Sequence, residues 1–173
     1  MGMESENRSG ADNQQERPIA SINPWFISGF VDGEGSFHVA FSRRKDLSKG
    51  WILIPEFHVS QNRERASVLS EIQSYFDCGY IKENHKERIN DVSQVFVVRK
   101  RDDLVNKIVP FFEQYPLRSQ KKKDFLVFAQ IVKAMNTGHH HSLDGFRSLV
   151  SQAYEMNGFG KYRKIPLKDV ISL

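Results

Sequence analysis

The chain has 173 residues, 39% hydrophobic and 27% charged, a balance that supports one folded domain with a real apolar core. Its one cysteine, Cys78, excludes an internal disulfide and a cysteine-built zinc site, while short apolar runs and a polar N-terminus exclude a membrane span and a secretory signal. The net charge is +4, and beyond residue 20 there are 23 basic side chains against 17 acidic ones, which points to a polyanionic partner.

Residues 1–20 are rich in Ser, Glu, Asn, Gln and Gly, and read as a disordered polar tail. Asn23 is a good N-cap and Pro24 suits a first helical position, so a short helix is expected over Pro24–Val31, stopped by Asp32-Gly33-Glu34-Gly35. The period then falls to two. Phe37, Val39 and Phe41 alternate with Ser36, His38, Ala40 and Ser42; after turn-prone 43–50, Trp51, Leu53, Pro55, Phe57 and Val59 repeat the pattern. Pro55 suggests an edge or a bulge.

A helix is expected at 63–76, from the spacing of Ala66, Leu69, Ile72 and Phe76. A second hairpin, Gly79–His85 and Val92–Arg99, surrounds the polar turn 86–91. Helices follow at Asp102–Tyr115, from near Ser119 to near Gly138, and over 142–156. Strands paired as hairpins with helices between them give an α+β fold of order αββαββα: an antiparallel sheet covered by helices on one face, plus a C-terminal helix.

Ile27-Ser28-Gly29-Phe30-Val31-Asp32-Gly33-Glu34-Gly35-Ser36-Phe37 is the most informative stretch. Ser28 and Gly29 recur one turn later as Asp32 and Gly33, leaving a face of nearly bare backbone that a second helix can approach closely. Two carboxylates at its foot concentrate negative charge that a hard cation relieves. An EF-hand is excluded, because the twelfth position from Asp32 is Arg43 rather than Glu. A dinucleotide fingerprint fails as well, since Gly33-x-Gly35 leads to His38 and a strand. A lone Asp-Gly-Glu-Gly is more often only a polar turn that ends a buried helix.

The stretch resembles the motif of LAGLIDADG homing endonucleases, which are sequence-specific double-strand DNA nucleases. The element order over roughly 21–156, Asn23-Pro24-Trp25 before the motif and Tyr115-Pro116-Leu117 after it also resemble intron-encoded members. The domain is therefore read as 21–156, with 157–173 as a C-terminal extension.

The resemblance implies that Glu34 is the metal ligand at the scissile phosphate, helped by the Gly33 carbonyl, and that Asp32 is structural. It implies that Gln61, Arg65 and a lysine complete the active site. That lysine falls among Gln120, Lys121 and Lys122, and Lys121 is chosen. Without the resemblance, Gln61 is a strand end and Arg65 a solvated helix residue. The implied cofactor is Mg²⁺, with Mn²⁺ or Ca²⁺ able to substitute in binding.

One motif supplies half of a paired site, and Leu143-Asp144-Gly145-Phe146 and Gly158-Phe159-Gly160 are not second copies. The expected partners are a homodimer docked through Ser28, Gly29, Asp32 and Gly33, and a double-stranded, near-palindromic DNA. The DNA-facing set is Ser36, His38, Ala40, Ser42 and Arg44, then Glu56, His58 and Ser60, then Tyr80, Lys82 and Asn84, with the fourth strand open between Gln94 and its neighbours. A solvated sheet face is the plain alternative for each of these residues, and Ile52 and Ile54 fit a DNA face poorly. Basic residues 43–45, 99–101 and 121–123 would hold phosphates.

His139-His140-His141 reads as a polar connection and Cys78 as packing. The other readings are an intron RNA-binding splicing cofactor and a DNA-binding regulator without catalysis. The family implies an intracellular setting, in a mitochondrion, a chloroplast or a bacterial cytoplasm.

Overall fold

A computed structural model describes residues 22–84, 92–159 and 163–172; the expected tail 1–20, His85 and the turn 86–91 lie outside these. Helix α1 (Pro24–Glu34) begins as its sequence dictates, with Trp25 N–H donating to Asn23 Oδ1 at 2.8 Å. It does not stop at Val31. It runs one turn further because Lys121 Nζ donates to the carbonyls of Val31, Asp32 and Gly33 at 2.9, 2.9 and 3.2 Å. That distant ammonium satisfies carbonyls that a helix end otherwise leaves without partners. The chain leaves the helix at Gly35, where a Cβ would lie 2.7 Å from the Val31 carbonyl oxygen, so only glycine fits.

Strands β1 (Gly35–Arg43), β2 (Trp51–Asn62), β3 (Tyr80–Glu83) and β4 (Ser93–Val98) form one antiparallel sheet in the order β1-β2-β4-β3. Both hairpins form, and β2 meets β4 at the centre from Phe57↔Val98 to Asn62↔Ser93. Pro55 pairs with Val39 on β1, in a stretch of β2 beyond the reach of β4, so the missing N–H breaks no central ladder.

Helix α2 (Ser67–Phe76) follows a 3₁₀ turn, Arg63–Arg65, where the sequence suggested continuous helix. The next helix, α3 (101–114), is α-helical at Arg101–Asp103, π-helical at Leu104–Ile108 and α-helical at Val109–Gln114. Pro110 explains the widened turn: it lacks an N–H and its ring crowds the carbonyl four residues earlier. Helices α4 (Lys121–Asn136), α5 (Leu143–Phe159) and α6 (Leu167–Ile171) complete the bundle, α5 losing helical geometry at Met156–Gly158. Among the described residues, no helix is long and apolar enough to cross a membrane.

The helices cover one face of the sheet. Phe37 is the hub of that layer, with its ring 5.1–5.3 Å from those of Phe57, Phe112, Phe125 and Phe128. Cys78 packs half-buried against the same core, and burial pushes its thiol up to about 11, which suits packing rather than nucleophilic chemistry. The outer edge of β1 is closed by the non-helical end of α5 and the residues beyond it: Asn157 Nδ2 donates to Phe37 O at 3.1 Å and Arg163 to Val39 O at 2.8 Å.

Replacing Phe37 by alanine should cost about 3–5 kcal/mol of unfolding free energy in urea denaturation, because the hub ring is fully buried and its neighbours are too large to collapse into the gap.

Candidate active site

The C-terminal end of α1 and the start of α4 hold each other. While Lys121 caps the α1 carbonyls, the Asp32 carboxylate accepts from Arg118 N at 2.8 Å, Ser119 N at 2.9 Å and Ser119 Oγ at 2.5 Å. Burial alone would raise the Asp32 carboxyl; the Ser119 hydroxyl, the two amides and the Lys121 charge outweigh it and hold it below 3.8. Asp32 is thus committed within its own chain. Burial lowers the Lys121 ammonium from its ordinary value, against the opposing pull of Asp32, Glu34 and Asp124. Gln120 and Lys122, the other candidates for the basic position, are exposed.

Glu34, the last residue of α1, is exposed at this junction and feels the Lys121 charge. It lines an open cavity of about 270 Å³ together with Ser60, Gln61, Asn62, Arg65 and Ser93. Gln61 and Asn62 end β2, Arg65 comes from the 3₁₀ turn and Ser93 opens β4. Gln61 Oε1 accepts from Asn62 N at 2.7 Å, which fixes the amide. Three of the four residues expected from sequence therefore share one cavity. Lys121 does not line it, but grips the helix end that presents Glu34. Ser60, Asn62 and Ser93 were not foreseen as lining residues; the ends of the β2–β4 register bring them there.

The bare face of α1 differs from the expected one. Ser28 is 3% exposed and its hydroxyl donates to Tyr115 O at 2.9 Å, so it belongs to the core side and not to a docking seam. Gly29 and Gly33 do face outward, with nothing within 4 Å of an added Cβ, beside exposed Trp25 and Phe26.

On the sheet face away from the helices, Ser36 pairs with His58, His38 with Glu56, Ala40 with Ile54 and Ser42 with Ile52. The register fixes the fourth strand: Gln94 opposes Gln61 on the helix side, whereas Val95 and Val97 sit on the outer face beside Lys82 and Tyr80. Glu56 is not the free base-reading carboxylate the sequence suggested. It is 5% exposed, accepts from His38 Nε2 at 2.9 Å and is clamped by an Nη of Arg99, whose side chain is half exposed. Burial alone would raise Glu56, but its His38 and His58 neighbours hold it well below the usual range. Arg44 lies just past β1, bonded twice to Asp46 at 2.9 and 2.7 Å, and Asn84 lies just past β3, with its backbone N–H donating to Ser93 O at 2.9 Å.

A second cavity, of about 330 Å³, sits at the opposite end of the β1–β2 hairpin between Leu47, Lys49, Trp51, Arg101, Met135 and Phe146. Lys49 Nζ is bound there to the carbonyls of His140 and His141, and burial with nearby His141, Arg101 and Lys49 pushes the His140 imidazole down to about 4. Its two cations, Lys49 and Arg101, both donate to backbone carbonyls, and the motif carboxylates are elsewhere.

Residues 27–132 match the family described as LAGLIDADG endonuclease. The chain belongs to the LAGLIDADG endonuclease family. It is 36% identical over 155 residues to probable intron-encoded endonuclease 2 of Neurospora crassa, covering 88% of this chain and 33% of that protein. The crystal structure of the homing endonuclease I-TnaI superposes with a TM-score of 0.78 at 34% identity, over 88% of this chain and 97% of that one. I-SmaMI bound to uncleaved DNA target in the presence of calcium ions gives 0.76 at 26% identity, over 87% of this chain and 49% of that one. The chain thus spans a third or less of the curated relatives matched first, yet nearly all of the I-TnaI structure and half of the I-SmaMI one. The four-stranded antiparallel sheet backed by helices is the LAGLIDADG fold.

The carboxyl of Asp32 titrates lower in the folded chain than in the unfolded one, so its stabilising contribution is complete above about pH 4 and is lost as pH falls through the folded value. Asp32→Asn should be less stable than the parent at pH 7, and the gap should narrow below pH 4 in denaturation curves measured across that range.

Proposed function

We propose that this chain is one half of a site-specific DNA endonuclease: two copies dock through the outward face of α1 and cut both strands of a near-palindromic duplex with the aid of a divalent cation, Mg²⁺ above all. The observation that carries this reading is the convergence of Glu34, Gln61 and Arg65 on one open cavity beside the exposed Gly29 and Gly33. The name of its Neurospora relative supports endonuclease activity, the DNA-bound I-SmaMI supports DNA as the substrate, and the halved match to I-SmaMI supports a paired unit.

The donor set suits a hard cation, since Glu34 offers an exposed carboxylate and the neighbouring Gly33 carbonyl retains a lone pair beyond its bond to Lys121. When bound, such a cation supplies an acidified water and charge compensation at the leaving oxygen. The protein's own groups do the rest. Arg65 places a guanidinium at the cavity, where it offsets charge gathering on the phosphate. Gln61, its oxygen fixed by Asn62 N, directs its amide donors at the remaining positions and orients a water or phosphate oxygen. Lys121 holds the α1 end that aims Glu34, and adds positive potential beside the two motif acids.

Docking of a second copy is favoured by Trp25 and Phe26, each 52% exposed, which flank glycines that let backbones approach. DNA would lie along the outer sheet face. The relatives' names further support an intron as the genetic source, and thus an organelle as the place of action.

A randomised palindromic duplex library incubated with the purified chain and Mg²⁺ tests the reading. Cleaved products should be recovered from the parent and lost on chelation, Glu34→Gln should bind without cutting, and Arg65→Ala should cut at least about 10²-fold more slowly. Tight DNA binding by the parent with no cleavage in Mg²⁺ or Mn²⁺ would refute it. Gly29→Leu should shift the sedimentation equilibrium of the free protein toward monomer and abolish double-strand breaks.

A further inference from the structure

Outside the cavity at Glu34, one group of side chains gathers three potential metal ligands at one point. His38 on β1 lies directly across from Glu56 on β2, and His58 follows two residues later on the same face. Positions i and i+2 of one strand with the residue opposite on its neighbour are the natural way for a sheet to aim three side chains at one point. The ligand atoms here all lie within 4.8 Å of one another. His38 Nε2 is 2.9 Å and His58 Nε2 is 3.1 Å from the same carboxylate oxygen, Glu56 Oε2.

Two features separate this group from a simple polar network. His58 Nε2 is buried yet makes no aligned hydrogen bond, despite that 3.1 Å approach. Arg99 meanwhile binds the other carboxylate oxygen, Oε1, and leaves Oε2 turned toward the two imidazoles. A carboxylate held through one oxygen while the other faces two histidines is the orientation that outer partners give to metal ligands.

We propose that His38, Glu56 and His58 form a three-ligand site for a borderline transition-metal cation of the Zn²⁺ class, with its open coordination position on the outer face of the sheet. Two imidazoles and one carboxylate suit Zn²⁺ or Co²⁺ and disfavour Mg²⁺, which demands oxygen ligands. The site is therefore distinct in chemistry from the motif carboxylates, and does not rest on the nuclease reading. Arg99 on Glu56 and Lys82 near His58 are the opposing charges, and they set the affinity below that of a fully anionic ligand set.

Titrating the purified full-length chain with Co²⁺ tests the site. The expected result is one ion per chain with the intense visible band of a four- or five-coordinate centre, displaced by Zn²⁺ and not by excess Mg²⁺. His38→Asn and His58→Asn should each weaken binding at least about a hundredfold while circular dichroism stays unchanged. A variant with His139, His140 and His141 all changed to alanine should bind as the parent does. Imidazole nitrogen spectra of the parent offer a measure independent of substitution: Nε2 of His38 and His58 should shift on addition of Zn²⁺. No saturable band, or binding lost only with His139–His141, or Nε2 signals that do not move, would overturn the assignment.

Discussion

The exchange of caps between α1 and α4 is the constraint on which the candidate site depends. A helix that carries Gly29 and Gly33 and ends Val-Asp-Gly-Glu has little reason to persist locally, because each glycine adds about 1 kcal/mol of helix cost relative to alanine. Lys121 supplies donors to three carbonyls of that turn, while Asp32 supplies an acceptor to two amides and a hydroxyl at the start of α4. Neither end is complete without the other. The price is two charged side chains committed to backbone; in return Glu34 is carried on a fixed helix rather than on a loop. Precise aim of a catalytic group requires that kind of support.

What could be read from sequence follows from how local each cause is. The Asn23 cap, the period-two runs in β1 and β2 and the helical spacing in α2 and α4 depend on neighbours along the chain, and these elements formed where the pattern put them, save that a 3₁₀ turn replaces the first turn of α2. The extra turn of α1 depends on an ammonium 88 residues away from Gly33, and no local pattern announces it. The same holds for Ser28. Small residues four apart marked a bare face, but only the tertiary position of Tyr115 decides that Ser28 lies inside and Gly29 outside. From Val95 to Val98 every residue of β4 is apolar, so alternation cannot assign its faces; pairing with β2 does.

Glu56 shows the same limit in electrostatic form. Alternation correctly puts it on the outer face, yet a carboxylate there reads as solvent-exposed only if its cross-strand neighbours are ignored. His38, His58 and Arg99 converge on it and bury it, while Val95 and Val97 fill the floor beside it. A face built this way offers an apolar centre with polar groups held in fixed orientations around it. On a DNA-reading surface, fixed donors and acceptors discriminate between base edges, and apolar floor atoms meet thymine methyl groups. Ile52 and Ile54, awkward on a purely polar reader, belong to the same outer surface.

The edges of the molecule bear on how it assembles. Asn157 and Arg163 occupy carbonyls on the free side of β1, and β3 at the other edge is only four residues long, so neither edge invites a further strand. The outward face of α1 has no such cover. In the proposed assembly a two-fold axis along Gly29 and Gly33 would bring a Glu34 from each copy together, and two unscreened carboxylates in a closing seam repel. Lys121 and Arg65 in each copy oppose that repulsion without abolishing it. A cation shared at the foot of the seam removes the rest, so metal binding and close docking of the two helices favour one another through the same pair of acids.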